Sequence, residues 1–138
     1  MQIEELIRKM GQDPEDKKWQ FALKHIYVNF PVDVKDMNCI EGYPCWFARY
    51  TITGRVDIGE TEGFVITSDT GILVICPAED DFPVNDWVSK KDIRIVEAES
   101  TLFKGYVRVK TNSDVYSFRV SKKIVKDVER MANNVRNF

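Results

Sequence analysis

Apolar residues recur with helical spacing at the end of the chain. Ile124, Val125, Val128, Met131, Ala132 and Val135 fall on one face, with Phe138 a turn further on. Lys122, Lys123, Lys126, Asp127, Glu129, Arg130 and Asn133 fall on the other, and Ser121 is placed to cap the first turn. A helix this one-sided must lie against another element. The stretch before it supplies strands. Tyr116, Phe118 and Val120 alternate with polar neighbours, and Phe103, Val107 and Val109 do so opposite Lys104, Arg108 and Lys110. Thr111-Asn112-Ser113-Asp114 has turn chemistry, so the two runs predict an antiparallel hairpin, with Ile93 and Ile95 in a third strand.

At the other end, Ile3, Leu6, Ile7 and Met10 predict a short helix closed by Gly11. Asp13 as cap, Pro14 at the first position and Glu15 and Asp16 in the first turn predict a second helix. Its buried stripe is Trp19, Leu23, Ile26 and Phe30, and Pro31 ends it. Both helices are expected on the outside of a sheet. Pro31–Pro44 reads as a long irregular loop anchored by Val32, Val34, Met37, Ile40 and Tyr43.

In the middle, Trp46, Ala48, Tyr50 and Ile52 alternate with Phe47, Arg49, Thr51 and Thr53, a strand with large side chains on both faces. Gly54, Gly59 and Gly63 interrupt the next stretch. The run 63–76, with two β-branched apolar arms around Asp69-Thr70-Gly71, predicts a hairpin buried at the sheet centre, with Gly71 in the left-handed conformation. Pro77–Lys91 reads as a second long connection carrying Glu79, Asp80 and Asp81, then Phe82, Val84 and Trp87. Either its aromatics tuck back onto the core, or it is a docking loop for a partner.

The 138 residues suit one domain, read as a helical extension and loop (1–44) on a body formed by 45–138. No run approaches the roughly 18 apolar residues of a membrane span, and the start of the chain lacks a signal peptide's charged and apolar regions. Three cysteines, Cys39, Cys45 and Cys76, with no CxxC spacing, suggest reduced thiols and a cytoplasmic location. The net charge of −2 is unevenly laid out. Residues 1–86 hold 8 Lys+Arg against 16 Asp+Glu, or −8, while 87–138 hold 12 against 6, or +6. Such a back half could bind an anionic surface, or the halves could neutralise each other across the fold.

Motifs for catalysis are missing: no GxGxxG, GxxxxGK[ST] or GxSxG occurs. His25, the single histidine, flanks an apolar stripe, and with Cys39 and Cys45 it does not make a standard zinc spacing. Asp57, Glu60 and Glu62 crowd a segment without the apolar neighbours that would raise a carboxyl pKa. No catalytic residue, metal or cofactor is expected.

Residues 63–138 resemble the bacterial pleckstrin-homology-like domains, the YokE-like group in particular. The likeness lies in the Gly-led hairpin GFVITSDTGILVI, the strand KKDIRIVEAE, the hairpin FKGYVRVKTNSDVYSFRV and the closing helix. It departs from the group at Asp69-Thr70-Gly71, where relatives often carry Lys or Arg. It departs again at Asp57, Glu60 and Glu62, where the lipid-binding branch is basic and this chain has only Arg55. The resemblance implies an α+β fold: a strongly bent antiparallel sheet, nearly a barrel, capped by the C-terminal helix. It implies a non-catalytic interaction or assembly module of bacterial or phage origin, with a protein partner or a second copy. The candidate contact residues are Tyr43, Phe82 and Trp87, with Lys104, Arg108 and Lys110. The alternative is a membrane or nucleic-acid surface held by the basic half, which adds Lys90, Lys91, Arg94, Lys122, Lys123 and Lys126, although nucleic-acid signatures are lacking.

Overall fold

A computed structural model of the chain describes residues 1–31, 34, 36–79 and 82–137. The helices α1 (Ile3–Lys9) and α2 (Lys17–Asn29) precede, among the described residues, the strands β1 (Cys39–Thr51), β2 (Val56–Ser68), β3 (Gly71–Cys76), β4 (Val84–Ser89), β5 (Ile95–Ser100), β6 (Lys104–Lys110) and β7 (Asp114–Ser121). The tail helix is α3 (Val125–Arg136). All pairs are antiparallel, and the strand order is β4-β3-β2-β1-β7-β6-β5.

The sheet must curl. Arg49 on β1 bonds Asp86 on β4 at 2.6 Å, although three strand spacings in a flat sheet would separate them by about 14 Å. Helix α3 likewise touches β2 and β3 as well as β5 and β6, which a helix about 10 Å wide can do only inside a bend. Its buried face, Val125, Val128, Met131, Ala132 and Val135, is the predicted stripe. Ser121 caps the approach by accepting a bond from the Lys123 amide, and one 3₁₀ turn, Lys122–Ile124, precedes the helix. Gly105 makes room for it, since a Cβ there would lie 1.7 Å from Val125 Cγ2. Phe138 lies outside the described residues.

Strand β3 is buried throughout because both its faces are covered. Ile72, Val74 and Cys76 join the core with α3, while Leu73 and Ile75 join a second core with Ile7, Trp19, Leu23 and Ile26 from α1 and α2. This is why the hairpin shows no alternation in sequence.

Several local expectations are corrected. Helix α2 starts at Lys17, because Asp13 Oδ1 accepts the Glu15 amide at 2.9 Å and closes a separate turn. Residues 39–44 and 56–62 are strand, as is 84–89 within the predicted second connection. Ile93 is not in a strand; it drops into the core after the 3₁₀ turn Lys90–Asp92, and β5 begins at Ile95. Gly71 does not take positive φ, whereas Gly11 and Gly54 do. A Cβ on Gly71 would meet Val88 O at 2.3 Å, so close packing requires the glycine. Phe103 leaves the core face and is 82% exposed. Val32 lies outside the described residues, as do Asp80 and Asp81.

Candidate interaction surface

Tyr43 stands half-buried on β1 and donates its hydroxyl to Glu41 Oε2 at 3.2 Å. Glu41 also takes both Arg130 amino groups, at 2.8 and 3.0 Å, tying β1 to α3. The Arg130 hydrogen bonds hold the Glu41 carboxyl below its ordinary range. Tyr43 is therefore part of a clamp on the tail helix. Trp87 is half-buried against Gly71 and the second core. Phe82 is 80% exposed in the connection before β4.

The basic candidates divide. Arg108 Nη1 reaches Glu99 at 2.9 Å with its guanidinium 5.0 Å from the Tyr106 ring centre, and Lys110 Nζ reaches Glu97 at 3.0 Å. These are diagonal cross-strand pairs, since Glu97 sits opposite Arg108 and Ile95 opposite Lys110. Their charge is met within the sheet. Lys104, Lys122 and Lys123 are exposed and make no ion pair among the described residues.

Lys104 ends the β5–β6 turn. The Thr101 amide donates to Lys104 O at 2.8 Å, and the Lys104 amide donates to Thr101 Oγ1 at 3.1 Å. This closed turn holds Leu102 and Phe103 at its two central positions, 75% and 82% exposed. Turns of this length usually carry polar residues or glycine. Beside the tip runs an open groove of about 390 Å³, walled by Pro44, Trp46, Phe103, Val120 and Ile124, with Lys104 on its rim. Trp46 is 40% exposed, and the Arg119 guanidinium lies 5.1 Å from its ring centre. Arg119 also grips Glu60 through Nε at 3.0 and 3.1 Å, so its charge is met there; the bonds hold Glu60 below its ordinary range. Sequence alternation assigns Phe103 to the core and does not single out Leu102 or Trp46. The one signal available is Leu-Phe in a two-residue turn, where the pattern calls for polar residues.

Other groups with chemical potential are enclosed. Burial pushes the Cys39 thiol up to about 11 and the Cys76 thiol up to about 12, and raises Cys45 as well, so all three resist ionisation. Burial also raises the Asp86 carboxyl, against the pull of the Trp87 amide and of Arg49. The Arg49 guanidinium stays charged beside it, making the pair a bolt across the curled sheet. Asp86 does not line the neighbouring cleft of about 330 Å³ formed by Trp87, Arg94, Asn112 and Tyr116 among others. His25 flanks the α2 stripe as its spacing predicts, with Nδ1 bonded to Asn85 Nδ2 at 2.9 Å. Among the described residues no three His, Cys, Asp or Glu side chains gather as metal ligands, and no helix is long and apolar enough to cross a membrane.

No family model and no curated protein sequence matches the chain. Solved structures do. The Vps36 N-terminal PH domain superposes with a TM-score of 0.50 at 14% identity, over 75% of this chain and 84% of that one. The C-terminal domain of an unknown protein from Leishmania infantum gives 0.55 at 9% identity, over 75% and 88%. A structure of the Vav1 exchange factor that addresses its PH and C1 domains gives 0.51 at 8% identity, over 96% of this chain and 32% of that one. At such identities the likeness speaks to architecture alone. The curled seven-stranded antiparallel sheet, the C-terminal helix seated in its bend and the helices before it are those of a pleckstrin-homology-like α+β fold.

Proposed function

We propose that the protein is a non-catalytic interaction module that engages a protein partner through the Leu102–Phe103 tip and the Trp46 groove. A bacterial or phage origin and a cytoplasmic setting complete the reading, supported by the YokE-like sequence pattern and the reduced cysteines. The observation that carries it is the exposure of two adjacent large apolar side chains on a turn hydrogen-bonded at both ends. A single exposed leucine means little, but a rigid apolar pair beside a half-exposed tryptophan is a patch that favours a partner. Covering Leu102 and Phe103 would contribute about 1.5–3 kcal/mol each. Of the sequence candidates Lys104 belongs to this face, while Arg108 and Lys110 are engaged with β5. The anionic-surface alternative thereby loses Arg108 and Lys110 and rests on Lys90, Lys91, Arg94, Lys104, Lys122, Lys123 and Lys126.

The double substitution Leu102→Ser/Phe103→Ser tests this reading. With the full chain as bait in extract of its own cells, the wild type captures proteins that the variant does not, while thermal midpoints agree. Identical capture by both would reject the assigned face.

A further inference from the structure

Strand register lines up a row of side chains on the sheet face away from α3. Phe47, Val107 and Phe118 face the core that holds the helix, so their neighbours along each strand point outward. Glu62 on β2 sits opposite Trp46 on β1, Trp46 opposite Arg119 on β7, and Arg119 opposite Tyr106 on β6, two residues from Lys104. The row thus runs from an acid to a base with an aromatic ring between them. Glu62 and Lys104 are exposed, and neither makes an ion pair among the described residues. Glu60, the other acid beside the row, is held by Arg119. The two ends also match in shape. Beyond Lys104 stands the Leu102–Phe103 tip, 75% and 82% exposed. Beside Glu62 lies a hollow of about 280 Å³ with apolar walls from Pro44, Phe64 and Pro77, its lining completed by Gln12 and Lys18.

We propose that two copies pair face to face about a twofold axis through the middle of this row. Lys104 of each copy meets Glu62 of the other, and the Leu102–Phe103 tip of each enters the other's Pro44–Phe64–Pro77 hollow. This rests on the Leu102–Phe103 face being a contact surface, and names its occupant. Within one chain, Glu62 and Lys104 stand three strands apart, about 14 Å, too far to pair. A twofold rotation exchanges the ends of the row, so a face with unlike ends becomes its own complement. Both charges are then met and both hollows filled at once, which closes the assembly at two copies. Trp46 and Arg119, its ring and guanidinium 5.1 Å apart, lie over the axis, at the centre where an interface concentrates its binding energy.

Light scattering on the full chain tests this with a charge exchange, Lys104→Glu and Glu62→Lys, both at exposed positions so that the fold survives. The wild type shows twice the 16.1 kDa chain mass as concentration rises, and added salt weakens the association by screening the two ion pairs. Each variant alone sets like charges against each other twice, and dissociates at a concentration at least about thirtyfold higher. An equimolar mixture of the two variants restores both lysine–glutamate contacts and forms mixed dimers, as does the double variant Lys104→Glu/Glu62→Lys with itself. A wild type that stays monomeric, a dimer indifferent to both substitutions, or a mixture no tighter than its components overturns the proposal. If the second copy fails while Leu102→Ser/Phe103→Ser still abolishes capture of another protein, the contact face stands and only its occupant is wrong.

Discussion

Val128→Asp is expected to leave almost no folded protein at room temperature. Val128 is 1% exposed at the centre of the α3 face, flanked by Val125, Met131, Ala132 and Val135 at 5% or less. Its side chain belongs to the core that also holds Phe47, Val74, Val107 and Phe118. Among the described residues no cationic side chain is buried, so an aspartate must either bury an unpaired charge or pull the helix out of the bend. Either route costs on the order of 5 kcal/mol, comparable to the whole stability of a domain this size. Val128→Ala removes only two methyl groups, costs roughly 2 kcal/mol, and should still fold. Thermal unfolding followed by circular dichroism separates the two, and a Val128→Asp midpoint equal to wild type would mean that α3 is not packed in the bend.

The second large effect concerns the N-terminal helices. Trp19 is fully buried on α2, with its ring 5.4 Å from that of Phe64 on β2 and its Nε1 donating to Gln12 Oε1 at 3.4 Å. Around it Ile7, Leu23 and Ile26 cover the face of the sheet that carries Ile66, Leu73 and Ile75. Trp19→Ala would open a large cavity at a cost of about 3–5 kcal/mol, lowering the thermal midpoint by roughly 10–20 °C. Were α1 and α2 a loosely attached appendage, the midpoint would barely move, because the sheet would not depend on the tryptophan.

How much of the fold is legible in the sequence depends on where each signal originates. The α3 stripe and the β6–β7 hairpin can be read because each buries one face and keeps the other in solvent, so periodicity survives. Residues 39–44 hide behind Gly42 and Pro44, which mimic a loop. Gly42 lets the methionine of the turn after α1 pack closely, since a Cβ there would lie 2.8 Å from Met10 Sδ and push that side chain aside. Pro44 falls where β1 pairs with β2 alone, the edge setting that tolerates proline. Strand β4 is masked by the acidic run before it. The contact face is harder still. Phe103 shares the parity of Val107 and Val109, yet the strand stops at Lys104 and the turn rotates the ring outward. The neutralisation of Arg108 and Lys110 depends on strand register, which fixes Glu97 and Glu99 opposite β6 and which spacing does not reveal.

The most direct test of the account is a photocrosslink from position 103. A photoreactive phenylalanine analogue placed there, with the same analogue at Val28 as control, compares two exposed apolar positions, 82% and 70% accessible, on different elements. Covalent protein adducts are expected from position 103 and none from position 28. Adducts of equal yield from both positions, or none from position 103, would contradict it.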